Sequence, residues 1–126
     1  MVVNYSIEEI SEDVVENGSL TKEDVKQIRE FVQNKLDVNV LIELLSITHE
    51  LDWKNIDNDI IDLIVNCIRK LFCDEDTITD RNAIELIALF DPEKALNPFE
   101  RKALRKIKIE DYYGKVLRDF MDDHNI

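Results

Sequence analysis

Glycine and proline are nearly missing from this chain, with two of each in 126 residues. Tight hairpins draw on residues that tolerate positive φ, so this scarcity argues against an all-β fold and makes helix the default. Cysteine is as rare. Cys67 and Cys73 stand six positions apart, the spacing of neither a CxxC redox pair nor a zinc knuckle. On one helix their Cα atoms would lie about 9 Å apart, beyond the roughly 7 Å reach of a disulfide. Two free, buried thiols are expected. No stretch approaches the roughly 18 uncharged apolar residues of a spanning helix. The segment Met1 to Ser6 has neither the basic segment nor the apolar run of a secretory signal, so a cytoplasmic location is expected.

Catalytic motifs are missing as well. There is no Walker loop, no GxGxxG and no GxSxG. Ser46, His49 and Asp52 superficially suggest a nucleophile, base and orienter. On one straight helix, however, a base cannot both reach the serine and be held from behind by the aspartate. Asp74, Asp76 and Glu85 fall at acidic positions of a calcium-loop template, but Ile78 stands where a ligand is needed and Thr79 where the loop needs glycine. The run His49-Glu50-Leu51-Asp52-Trp53 lacks the second histidine of a zincin helix. An enzyme is therefore not expected. No catalytic residue, cofactor or metal is assigned.

Charge is the most unusual property. Lys and Arg number 16 against 28 Asp and Glu, a net −12. Such a field repels nucleic acid and anionic membranes and attracts basic partners. Its distribution is uneven: Met1 to Glu100 holds 23 acids and 9 bases, net −14, and Arg101 to Ile126 holds 7 bases and 5 acids, net +2. The bases cluster at Arg101, Lys102, Arg105, Lys106 and Lys108. A solvated helix face explains them better than a phosphate site. The hydrophobic content of 44% is too high for a disordered acidic tail.

That content is arranged as helices. Ser6 to Glu9 matches a capping box, and Gly18 supplies a left-handed stop near Asn17. Thr21 opens a second helix with Val25, Ile28, Phe31 and Val32 on one face. Asp37 caps a third, apolar on nearly every side and so expected to be central. A fourth begins near Asp57, with Asp59, Asp62, Asn66 and Arg69 as its polar stripe. A fifth starts at Thr79 or Asp80. Asp91-Pro92 and Asn97-Pro98 each set a cap before a proline, and Asn97 with Glu100 forms a box. The last segments run from Phe99 to Lys108 and from about Glu110 to Met121, with Gly114 a possible break. Connections are short, so residues 1–126 form one domain. The expectation is all-α and helical throughout: a compact multi-helix bundle, with a short HEAT-like α-solenoid as the alternative. The solenoid alternative rests on Asp37-Val38-Asn39 aligning with Asp80-Arg81-Asn82 at a spacing of 43 residues.

The densest acids are Glu50, Asp52, Asp57, Asp59 and Asp62, followed by Asp74, Glu75 and Asp76. Trp53 lies within the first group, at an expected helix–helix connection. Carboxylates around an aromatic anchor suit a cationic protein surface. A plainer arrangement fits too, with Trp53 closing the core and the acids facing water. A small, acidic, helical chain without cofactor or catalytic motif resembles the immunity proteins of bacterial toxin systems, above all the contact-dependent growth inhibition type. The resemblance implies a cognate toxin domain, commonly a nuclease, as the basic partner, with its active site or substrate groove blocked. The alternatives are a DNA-mimic or anti-defence protein of phage origin and a helical protein–protein adaptor.

Overall fold

A computed structural model of the chain describes residues 6–126. The stretch Met1 to Tyr5, read above for a secretory signal, lies outside the described residues. The elements are α1 (Ile7–Asn17), α2 (Lys22–Val32), α3 (Val38–Glu50), a single 3₁₀ turn (Trp53–Asn55), α4 (Asp59–Phe72), β1 (Cys73–Asp74), β2 (Thr77–Ile78), α5 (Asp80–Ile87), α6 (Pro98–Glu110), β3 (Tyr112–Tyr113) and α7 (Lys115–Asp123). The all-α class holds.

Capping side chains start most of these helices. Ser6 Oγ accepts from the Glu9 N–H, but Glu9 does not close the reciprocal half of the expected box. Thr21 with Asp24 and Asn97 with Glu100 form complete boxes. Gly18 ends α1 at φ +76°, its N–H donating to the Val14 carbonyl, a conformation that costs glycine nothing.

Helix α4 is the hub, packing against α2, α3, α5 and α6. Ile60, Leu63, Ile64, Cys67, Ile68 and Phe72 are buried along it. Each large aliphatic among them contributes roughly 1.5–3 kcal/mol of transfer free energy. Its expected polar stripe is partly tied to α6. Asp62 pairs with Lys106, and Arg69 bridges to Glu110 at 2.8 Å and Asp111 at 2.9 Å. The order of these contacts makes α4 and α6 parallel.

The first four helices stack as two hairpins. The groove between α1 and α3 is lined by Ser6 to Glu8 with Asp37 to Val40 at one end, and by Ser11 to Glu16 with Glu43 to Glu50 at the other. These helices are therefore parallel. Lys22 reaching Asp59, and Arg29 to Leu36 lining a cleft with Leu63 to Lys70, show the same for α2 and α4. The turn between the hairpin helices repeats the match: Leu20 donates to the Asn55 carbonyl at 2.8 Å and accepts from the Asp57 N–H at 2.9 Å. The two hairpin connections thus lie side by side at Leu20 and Ile56, whereas Asp37 and Asp80 do not hold matching cap positions. Those two share only a location near a helix start, and the cap of α5 is Thr79.

Several expectations are corrected. Helix α3 is not buried all round: α1 and α4 supply most of its cover, and Val38 is 40% and Ile42 41% exposed. The chain is not helical throughout. β1 and β2 form an antiparallel hairpin, and β3 adds in parallel beside β2, each strand two residues long. Fully buried Ile78 anchors this patch, and Glu75 and Asp76 take φ +47° and +70° at its turn. The turn forms without glycine, at a steric cost. Asp91-Pro92 opens no helix. Asp91 accepts from the Glu93 N–H and makes one turn, since Asn97-Pro98 follows too soon for another helix. The last helix starts at Lys115, because Tyr112 and Tyr113 are drawn into β3. Gly114 caps it. A Cβ there would sit 2.2 Å from Asp80 Oδ1, which accepts from the Val116 N–H. Both thiols are free, but only Cys67 is buried; Cys73 has left the helix for β1 and is half-buried.

Two stability predictions follow from these contacts. Replacing Glu75-Asp76 by Asn-Gly relieves the left-handed turn and raises stability by about 0.5–1 kcal/mol in urea melts. Burial pushes the Cys67 thiol up from 9.0 to about 11, with Lys70 opposing weakly. A thiol raised in the folded state gives stability that is whole below its unfolded pKa and is lost as pH climbs through the folded one. Stability is expected to fall by about 2–3 kcal/mol between pH 9 and 11 from this group, and Cys67→Ala should flatten that part of the profile.

Candidate protein-docking surface

Trp53 is held by backbone, not by packing. Helix α3 ends at Glu50, Leu51 turns extended, and Asp52 Oδ1 accepts from the Lys54 N–H to cap the 3₁₀ turn. Buried Ile56 and the Leu20 clasp fix that turn against the α1–α2 connection. The indole is 63% exposed, with Lys54 Nζ 5.8 Å from its ring centroid. Trp53 therefore does not close the core. It stands out beside the exposed carboxylates of Glu50 and Asp52.

The remaining acids of the expected site are divided. Asp57 Oδ1 accepts from the Asp59 N–H at the start of α4, and Asp59 pairs with Lys22 at 3.3 Å. Asp62 is taken by Lys106 on α6. Asp74, Glu75 and Asp76 are exposed in the hairpin beyond the other end of α4. Fourteen residues of helix hold them about 20 Å from Asp59. They are not near Trp53, and one surface does not unite all nine residues.

A different set of acids comes together instead. The parallel packing of α1 and α3 puts Glu12 and Glu16 on one wall of a groove of about 320 Å³ and Glu43 and Glu50 on the other, with Val15, Ser11 and Ser46 between them. None of these four glutamates has a cationic partner among the described residues. Exposed Ile42, with Val38 one turn before it, lies on the same helix as Glu43 and Glu50. Below Ile42 a second groove, of about 220 Å³, runs along Leu45, His49 and Leu89. The surface of α3 is thus an apolar ridge rimmed by unpaired acid. Glu12 and Glu16 stand four apart and Glu43 and Glu50 seven apart, spacings that share a helix face but went unread in the sequence. That α1 and α3 pack in parallel was the missing information.

Other candidates serve the scaffold. His49 Nε2 lies 2.7 Å from Glu100 Oε1, whose carboxylate is 2% exposed and also accepts from the Asn97 N–H. Asn97 Nδ2 donates to Thr48 Oγ1, so this network joins the end of α3 to the start of α6. Ser46 donates to Glu50 at 3.4 Å and Asp52 caps the turn, so Ser46, His49 and Asp52 point to three different partners. Among the basic residues of α6, Lys106 holds Asp62, Lys108 donates to the Ile126 carbonyl at 2.6 Å, and Arg101 to that of Asn125. Three of the five basic residues of α6 thus contact the rest of the chain at the surface, and Lys102 and Arg105 are exposed.

Among the described residues, no three His, Cys, Asp or Glu side chains converge to hold a metal ion, and no helix is long and apolar enough to cross a membrane. No protein-family model matches the chain, and neither the curated proteins nor the solved structures contain a significant match.

The uneven pairing predicts uneven mutational behaviour. Glu12 and Glu16 repel at i,i+4, so Glu16→Gln is expected to stabilise the free protein by about 0.2–0.5 kcal/mol. Asp62→Lys, which sets two cations face to face at the surface, is expected to destabilise it slightly. Thermal melts of the two variants at low salt read both signs.

Proposed function

We propose that this protein is a binding inhibitor that neutralises a basic toxin domain, a nuclease above all, by covering its active site or substrate groove in the manner of an immunity protein. The observation behind this reading is the unpaired acid of Glu12, Glu16, Glu43 and Glu50 beside exposed Val38, Ile42 and Trp53. A nuclease is basic where it grips phosphate, so carboxylates both speed the encounter and stand in for the displaced backbone. Apolar and aromatic side chains in the same region supply what charge alone does not, a slow off-rate. The protein would act in the cytoplasm, with no catalysis or cofactor of its own.

An adaptor role is the second reading, favoured by the stacked hairpins of α1 to α4, an arrangement whose outer faces commonly bind other proteins. The two part on ionic strength. Binding to a nuclease domain should weaken steeply as the Debye length falls from about 10 Å at 0.1 M to about 3 Å at 1 M, and adaptor binding through Val38 and Ile42 should barely change.

The test is co-purification with candidate nuclease toxin domains, followed by growth protection in cells producing the toxin. Glu43→Lys with Glu50→Lys is expected to abolish protection through a slower on-rate. Trp53→Ala is expected to quicken dissociation, by about 2 kcal/mol if the indole is a centre of the interface. Full protection by all these variants would remove the reading.

A further inference from the structure

We propose that the groove between α1 and α3 receives a single arginine side chain of the protein partner, an inference that rests on the docking reading above and narrows it to one contact. Two features beyond the carboxylates point to such a ligand. Ser11 is only 6% exposed and lines the groove, yet its hydroxyl has no hydrogen-bond partner among the described residues. No buried side-chain oxygen or nitrogen of the described fold lacks a partner, so the Ser11 hydroxyl, which no protein group engages, is reached by solvent. It is a polar group built into a wall and left open to an incoming donor. Val15, on the same wall, offers an apolar surface on which an alkyl stem can lie.

The shape of the acid ring selects the cation. No three of the carboxylates converge on one point, which leaves an inorganic ion without a coordination shell. A guanidinium suits the wider spacing. It is planar, carries five N–H donors in a fixed fork, and can serve Glu43 or Glu50 from one edge while donating to Ser11 from another. It also sheds water more readily than a lysine ammonium, whose compact charge would keep its hydration in so open a groove. The pairing requires no proton transfer.

The experiment uses the full chain, isotope-labelled for amide NMR, titrated with N-acetyl-arginine amide and, in parallel, N-acetyl-lysine amide. Saturable shifts are expected at Ser11, Glu12, Glu16, Glu43 and Glu50, with the arginine probe binding several-fold more tightly. Glu43→Gln with Glu50→Gln should weaken it about tenfold or more, since charge-assisted hydrogen bonds are lost. Ser11→Ala, with an unchanged melting temperature, should weaken arginine and leave lysine unaltered. Equal binding of the two probes, or shifts spread to Asp74 and Asp76, would overturn the inference. If arginine fails to bind but Glu43→Lys with Glu50→Lys still abolishes protection, the receptacle falls and the docking reading survives. Arginine bound as expected beside full protection by those variants leaves the groove site standing and sinks the docking reading.

Discussion

The burial of α4 is the constraint on which the rest of the molecule depends. A helix with Ile60, Leu63, Ile64, Ile68 and Phe72 on one side must be covered, and α2, α3, α5 and α6 are the elements that cover it. Around them, α1 lies over α3 and beside α2, and α7 lies over α5. The polar stripe of α4 then fixes α6 in register, through Asp62 with Lys106 and Arg69 with Glu110 and Asp111. The buried pair of His49 and Glu100 ties α6 to the end of α3. Such pairs add little net stability, but removing one partner strands the other, so they are strict about register.

Much of this architecture was legible in the residues. Thr21 with Asp24, Asp37, and Asn97 with Glu100 mark helix starts by short-range chemistry, and Gly18 marks a stop; all four act as read. What failed was what depends on distant partners. Cys73, Ile78 and Tyr112 have no local reason to be extended; the small sheet exists because Ile78 is buried and the chain after α6 returns beside it. The apolar character of α3 looked like burial on all sides, yet Val38 and Ile42 meet water because no further helix covers them.

The candidate site shows the same division. Trp53 was singled out from its neighbours in the chain and does stand exposed at a helix connection. The acids counted with it were gathered by sequence proximity, a poor guide once α4 separates Asp59 from Asp74 by its whole length. Lys22 and Lys106 occupy two of them, Asp59 and Asp62. The glutamates without partners come from helices some thirty residues apart in the chain, joined by packing alone.

The parallel stacking of α1 on α3 has an electrostatic consequence of its own. Neighbouring antiparallel helices largely cancel their macrodipoles; here both C-termini, near Asn17 and Glu50, come to the same end of the groove. Each brings the equivalent of about half a negative charge. Neither end carries a lysine or arginine in its last turn to offset it, and α3 has only His49 there, itself engaged with Glu100. The N-termini of α2 and α4 meet the same end within their hairpins and offset part of this, so the backbone's contribution is local: the carbonyls that end α1 and α3 stand beside Glu16 and Glu50 at the mouth of the groove.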